Sequence, residues 1–508
     1  MPTFVLVLIQ EIIPLQEPAA GWRENYGFWI RVAILAFVVA FMATDQSRVN
    51  IGGVDISLWR LALLSLCTSG MFTACSVVVA AHYRFPIPFF ILTMVSLFYP
   101  LLILSFRLVV GSHIFRHILD HWKQLIQFTT FACAQVMVAV VYQGYEALFR
   151  YTKDSRYHLI VILLLPLLKV TAKTVVLRRI KYMEDLVPEA VIFTVDYFNA
   201  IYIATCMQSA TSAVAAMAIT ITDLWQTIFM LYGLHKRTVT IGGRLRAVVG
   251  NPHDIDLVEA LCLLCRDPQK IKKQLRADIR VISCFPHKLS DYNTVLLEKL
   301  ANFPSKHCSE EVHTRGPHSS TILAAKPKTF QRLQILCARN RIGAIHPIVP
   351  EQALSSARSI SSSKQLGLIR KQSLSTSRQS VLQESLEVLF SMECLVATAY
   401  LEAVIPFAYS CYVVIMVFLP NARYHTEMTG ITSENMRSRI IFLLLFGVLQ
   451  VFCFMVLVLV IRRNCGMKAW HHLAFVLDAQ ASLVQGKLVA WTFVTMCFRV
   501  VHFGTYGV

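Results

Sequence analysis

The hydrophobic positions fall into long, nearly uninterrupted runs. Nine are long enough to read as membrane-crossing helices: 27–44, 61–81, 89–110, 125–145, 158–177, 187–208, 211–234, 402–419 and 440–461. A helix needs about 20 apolar residues to cross a hydrocarbon core, and most of these runs meet that length. The segment 4–15 is apolar but short, and Glu11 and Pro14 interrupt it. It has no basic start and no small-residue cleavage site, so it reads as an interfacial or re-entrant segment within residues 1–26 rather than a leader. Trp22, Tyr26, Trp29, Trp59, Tyr83 and Trp122 stand at the ends of spans 1 to 4, where aromatic anchors sit at a membrane interface. Near the C-terminus, within 462–508, residues 488–501 form a further apolar stretch. It is short and Arg499 interrupts it, which favours a membrane-associated surface helix over a tenth span.

Composition strengthens this picture. Of 508 residues, 56% are apolar and 15% charged, with a mean hydropathy of +0.55. A soluble domain carries about 25% charged residues. A soluble enzyme, a secreted disulfide scaffold and a disordered chain are therefore excluded, and the fold class is an all-α polytopic membrane protein with about nine spans. Seven spans over 27–234 precede a long segment, 235–386, and two follow over 387–461. Short-loop charge sets the orientation. Arg107, Arg116 and Lys123, and then Arg178, Arg179 and Lys181, lie on one side if spans alternate. That side is cytoplasmic, the N-terminus is outside, and the long segment is cytoplasmic too. Arg150, Lys153 and Arg156 in the 146–157 loop oppose this assignment.

Residues 236–385 hold 24 lysines and arginines against 11 acids, which is +13 of the chain's net +18. Each basic residue near an anionic leaflet contributes about 1 kcal/mol of attraction, so anionic inner-leaflet lipids are the expected partner. No interleaved stacking aromatics accompany the charge, and nucleic acid is not expected. Within the loop, 254–301 reads as a small helical subdomain and 353–380 as a serine-rich disordered linker. Arg370 and Lys371 precede Ser373, a context basophilic kinases favour; a phosphate there would weaken leaflet binding.

The fourteen cysteines are scattered, and the loops expected outside contain none, so no disulfide framework is implied. Cys262 and Cys265, followed by Cys284 and His287, have a spacing that zinc accepts. Cys262 and Cys265 sit in an apolar LCLLC run, which favours buried thiols. His117, Asp120 and His121 read as an interfacial helix. No nucleophile comes with a base and an orienting group, so neither an enzyme activity nor a cofactor is expected.

The intramembrane charges carry the most information. Lys169, Asp196 and Asp223 lie nine, nine and eleven residues from the expected inner ends of spans 5, 6 and 7, roughly 13–17 Å deep at 1.5 Å per residue. Glu189, Asp196 and Asn199 share one side of span 6, and Asp223 and Gln226 form an i, i+3 pair in span 7. Charges at this depth pair with one another or line a pathway. Lys169 neutralises one carboxylate of the trio and leaves one over, which would take up a proton or bind a cation. Glu402 lies at the start of span 8, one turn ahead of Pro406; Pro100 and Pro166 interrupt spans 3 and 5. Ala210, Ser212, Ala213, Ala215, Ala216 and Ala218 offer small residues for close packing.

Several blocks also share a pattern: IIPLQEPAAGWRENYGFWIR (12–31), FPIPF (85–89), MEDLVPEAVIFTVDYFNA (183–200), RADIRVISCFPHKLS (276–290), MECLVATAYLEAVIPFAY (392–409), LPNARY (419–424) and LAFVLDAQASLVQGKLVAW (473–491). Together they resemble a lineage-expanded family of multi-pass membrane proteins of oomycetes. The resemblance implies a polytopic fold across most of the chain, and more chain ahead of span 1. It transfers no catalytic or transport residue. Two functions stand against each other: a proton- or cation-coupled transporter or channel using spans 5–7, and a non-transporting scaffold or receptor-like protein acting through its basic loop.

Overall fold

The computed structural model describes residues 2–50, 56–152, 157–179, 191–210, 213–249, 257–258, 363–479 and 481–503. The described residues are almost wholly helical, with a single isolated antiparallel bridge between His425 and Val500. Among the described residues, eight helices are long and apolar enough to cross a membrane: Tyr26–Arg48, Leu58–His82, Phe90–Val110, Trp122–Tyr151, Ile160–Arg178, Ala213–Leu245, Glu384–Met416 and Met436–Cys465. This is an all-α polytopic membrane protein. The expected subdomain 254–301 apart from residues 257–258, Glu189, and the set Cys262, Cys265, Cys284 and His287 lie outside the described residues.

The helices in chain order are α1 (Pro2–Glu11), α2 (Tyr26–Asn50), α3 (Leu58–His82), α4 (Phe90–Val110), α5 (Ser112–Asp120), α6 (Trp122–Tyr151), α7 (His158–Arg179), α8 (Tyr197–Ser209), α9 (Ala213–Val249), α10 (Ser363–Met416), α11 (Met436–Cys465), α12 (Ala469–Ala479) and α13 (Ala481–Phe498). The chain divides into two compact units. The first comprises residues 1–223, 397–454 and 474–508.

In this first unit α2, α3 and α4 pack in sequence as neighbours. Small polar residues on α3 allow the close approach. Ser69 Oγ donates to the Ala33 carbonyl of α2 at 2.6 Å, while Ser65, Thr68 and Ser76 return their hydroxyls to their own helix. Those bonds satisfy the hydroxyls within apolar surroundings and leave slender side chains at the seam. Gly111, at φ 97°, ends α4 in a conformation that favours glycine. At the start of α2, Phe28 meets Phe85, Phe90 and Phe503 edge-on, an arrangement that aromatic quadrupoles favour.

The sixth apolar run forms the interior of this unit. Its described part opens with a π-helical turn, Val191–Asp196, and continues as α8. All side chains from Ile192 to Gln208 are buried. The run packs against α6, α7 and α13.

Two elements differ from the sequence expectation. The C-terminal stretch 488–501 is not a surface helix. It belongs to α13, which packs against α1, α2, α6 and the π-helical turn, and Thr492, Phe493 and Thr495 to Val500 are buried. Arg499, taken as an interruption, is fully buried among partners described below. The serine-rich stretch is helical from Ser363 onward, because α10 begins there, and Ser373 lies on that helix. Lys364, Gln365, Leu366, Arg370 and Lys371 are straight-chain helix formers. Extending an existing helix adds one hydrogen bond per residue without a new nucleus.

The second unit comprises residues 224–396 and 455–473. Within it Asn464 of α11 donates to Thr238 Oγ1 of α9 at 2.9 Å and lies 3.0 Å from His235 Nδ1. Arg244 of α9 pairs with Glu384 of α10 at 3.1 Å, and His472 of α12 lies 3.5 Å from Glu393. Gln226 belongs to this unit and is half-buried.

Candidate functional site: a buried lysine–carboxylate cluster

Three elements of the first unit build the site. On α7, Lys169 and Lys173 are four residues apart and so share one face. The π-helical turn presents Asp196. On α10, Thr398 and Glu402 form another i, i+4 pair. Lys169 Nζ lies 3.7 Å from Asp196 Oδ1 and 2.5 Å from Glu402 Oε1, so one ammonium bridges two helical elements. Lys173 Nζ lies 2.6 Å from the same Asp196 oxygen, and Thr398 Oγ1 donates to Asp196 Oδ2 at 2.9 Å.

Asp196 is fully buried and Lys169 nearly so. The cluster is less covered at its edges, where the Lys173 and Glu402 side chains keep 24% and 16% of their surface. Removing one member of a buried pair leaves an uncompensated charge, at a cost of about 3–5 kcal/mol. Backbone irregularity surrounds the cluster. A π-helical turn holds one residue more than an α turn and recurs at functional sites. Pro406 has no N–H for the carbonyl of Glu402, and Pro166 has none for that of Ile162.

Sequence reasoning therefore found Lys169 and Asp196, and the structure brings them together. It adds Lys173, one turn beyond Lys169 on α7, and Glu402, which the sequence reading had placed at the start of a span. Asp223 is buried and accepts a hydrogen bond from Gln450 of α11. Among the described residues, Asp196 and Glu402 pair with the two lysines, and Asp223 bonds to Gln450. Asn199 is buried on α8, three residues beyond Asp196.

A second cluster in this unit escaped sequence reasoning. Seven charged side chains alternate in sign: Arg150, Glu146, Arg499, Glu427, His425, Glu11 and Arg31. Successive separations are 2.5, 3.5, 4.0, 3.5, 3.0 and 2.8 Å. Arg499, just beyond α13, donates to Thr205 Oγ1 at 2.7 Å and to the Tyr409 hydroxyl at 3.1 Å, and lies over the Tyr202 and Tyr409 rings. Tyr409 donates to Gln208 Oε1 at 2.7 Å. At the other end, Arg31 Nη2 donates to the Ile13 carbonyl at 2.7 Å and Asn421 Nδ2 to the same carbonyl at 2.8 Å. The network fastens α1, the 420–428 loop and the end of α13 together.

Its titrations are strongly displaced. Burial alone would depress the His425 imidazolium, but the Glu11 and Glu427 carboxylates outweigh it and raise the pKa to about 9. Burial pushes the Glu427 carboxyl up; the hydrogen bond from His425 and the Arg499 charge overcome that and bring it to about 2. His502 goes the other way, to about 4, because burial and the Arg31 and His425 charges exclude a further cation. Near neutrality His425 is therefore charged and the network is a permanent fastening. The signal available in the sequence was Glu11 and Arg499, each a charge inside an apolar segment.

Among the described residues no group of three or more histidine, cysteine or acidic side chains is arranged to hold a metal ion. The side chain of His117, one of the three residues of the His117, Asp120 and His121 set, lies outside the described residues. Comparison with protein-family models, curated proteins and solved structures finds no match for the chain.

Proposed function

We propose that this integral membrane protein is a proton-coupled transporter whose proton site is the Lys169–Asp196–Glu402 cluster. The observation that carries the reading is the position of Lys169, held between carboxylates of two different helical elements at 3.7 and 2.5 Å. Protonating either carboxylate removes one attraction and moves the ammonium toward the other. The π-helical turn at Asp196 and the proline at 406 give both carboxylate-bearing segments a backbone that can shift. Such a two-state exchange is what coupling requires: each ligand favours one arrangement over the other.

The orientation that fits this reading has the N-terminus outside. Arg150 opposed it in the loop count, but its guanidinium is committed to Glu146 within α6. The basic loop 236–385 then faces the anionic inner leaflet, where phosphorylation of Ser373 would weaken its attachment.

The test is proton flux in proteoliposomes with wild type, Asp196→Asn, Lys169→Ala and Asp223→Asn. Flux that requires Lys169 and Asp196 supports the proposal. Equal flux in all four proteins, or none in a folded and incorporated wild type, sinks it. One observation favours a second reading, a non-transporting scaffold or receptor-like protein: Asp196 is fully enclosed and matched by two lysines and a threonine, as in a cluster that only fixes helix packing. In that case the same substitutions lower thermal stability and change no flux.

A further inference from the structure

Two apolar runs of the second unit end at one level. On α9 the run closes at Leu234 and is followed by His235, Lys236 and Arg237; on α11 it closes at Ile461 and is followed by Arg462 and Arg463. Asn464 of α11 donates to Thr238 Oγ1 of α9 at 2.9 Å and lies 3.0 Å from His235 Nδ1. That contact sets the two ends side by side. Both runs extend back from it into the same bilayer, so α9 and α11 are parallel.

The contact also fixes which faces meet. At about 100° per residue, Lys236 stands roughly 130° round α9 from the direction of α11, counted forward along the chain. Arg463 stands about 100° round α11 from the direction of α9, counted backward. Parallel right-handed helices carry these two offsets to the same side of the seam. Burial agrees with the geometry. On α9, Ile228, Tyr232 and Lys236 recur every fourth residue, and all three are exposed. On α11, Leu459 is exposed one turn before the exposed Arg463. The other side of α11 is covered: Val458, Ile461 and Cys465 are buried, and Cys465 Sγ donates to Met392 Sδ of α10 at 3.5 Å.

One side of the seam is therefore an apolar strip that ends in two cations. Neither 224–253 nor 436–477 contains an acid. Of the α10 acids, Glu384 pairs with Arg244 and Glu393 faces His472. Among the described residues Lys236 and Arg463 have no acidic partner. Basic sites between helices at the membrane surface bind phosphate headgroups, and exposed apolar side chains just below them meet acyl chains. A phosphate monoester suits the pair of cations. It carries about −1.5 to −2 charge near neutrality, and two of its oxygens fit the guanidinium fork. A serine headgroup would bring an ammonium that both cations repel.

We propose that the α9–α11 seam binds one glycerophospholipid whose headgroup is a phosphate monoester, with the phosphate between Lys236 and Arg463 and an acyl chain along Ile228, Tyr232 and Leu459. The site is built by folded helices and is independent of the transport reading. With the N-terminus outside it belongs to the inner leaflet.

The test titrates purified full-length protein in detergent with dioleoylphosphatidic acid, dioleoylphosphatidylserine and dioleoylphosphatidylcholine. Retained lipid is counted by native mass spectrometry, with the thermal midpoint followed alongside. One tightly held phosphatidic acid is expected, with the serine lipid held less well and the choline lipid least. Lys236→Gln and Arg463→Gln should each weaken retention by about fivefold, and the double change by about twentyfold or more. Arg462 is also exposed but stands about 200° round α11 from the seam direction, so Arg462→Gln should bind as wild type does. Asp196→Asn should do the same. All the substituted cations are exposed, so folding is retained. Equal losses from Arg462→Gln and Arg463→Gln would mean diffuse attraction and overturn the proposal. Equal retention of the serine lipid, displacement by inorganic phosphate, or no retention by folded wild type would overturn it as well.

Discussion

Replacing Arg499 with methionine should be among the most damaging single changes in the chain. The side chain is fully buried and its guanidinium serves two carboxylates, Glu146 at 3.5 Å and Glu427 at 4.0 Å, along with the Thr205 and Tyr409 oxygens. Methionine restores the apolar volume but none of the donors. Arg150 still holds Glu146, and His425 still holds Glu427, so neither carboxylate is wholly abandoned. The loss belongs at about 3–5 kcal/mol, the range for breaking a buried pair from one side. Arg499→Lys keeps the charge and loses the fork, and should fall between wild type and methionine. The assay is thermal unfolding in detergent, followed by tryptophan fluorescence, with Glu427→Gln and the double variant completing a cycle. The double variant should be more stable than the two single losses predict, because it removes a charge that Arg499→Met leaves behind. A methionine variant within about 0.5 kcal/mol of wild type, the range of an ordinary surface substitution, would refute the reasoning.

Other consequences follow from the same geometry. The raised His425 pKa means its stabilisation is fully present below the unfolded value of 6.5 and is lost as pH rises through about 9; His425→Gln should flatten the alkaline side of a plot of thermal midpoint against pH. The lowered Glu427 pKa acts in the opposite sense, with stabilisation present above 4.5 and lost as pH falls through about 2, so Glu427→Gln should flatten the acid side. Gly27→Ala should be poorly tolerated, by about 1–3 kcal/mol, since its Cβ would stand 2.0 Å from the Pro14 carbonyl oxygen, a backbone atom; an unchanged thermal midpoint would show that α2 and the 14–18 segment can move apart. Thr398→Val removes a donor to Asp196 without altering shape or net charge and should shift the pH dependence of flux while leaving yield unchanged.

The sequence made the spans legible because a membrane crossing demands a long apolar run, and composition alone reveals that. Lys169 and Asp196 were legible for the same reason, as charges where charges are costly. Lys173 and Glu402 were not, because each stands close enough to a span end to reach an interface; only the packing of α7 against the π-helical turn and the bridge from α7 to α10 turns them inward. The Arg499 network was harder still. Its members are single residues at positions 11, 31, 146, 150, 425, 427 and 499, with no common spacing, and tertiary contact alone assembles them. The burial of α13 was missed because Arg499 counted as a penalty, whereas a fully paired arginine lets a helix end inside a polar knot.

The most direct test of the central claim is proton uptake by proteoliposomes under an imposed pH gradient, comparing wild type with Asp196→Asn at matched incorporation and thermal stability. The account predicts saturable proton movement in wild type and its loss in the variant. Identical proton movement in both proteins, or its absence from both, would contradict a proton site at Asp196.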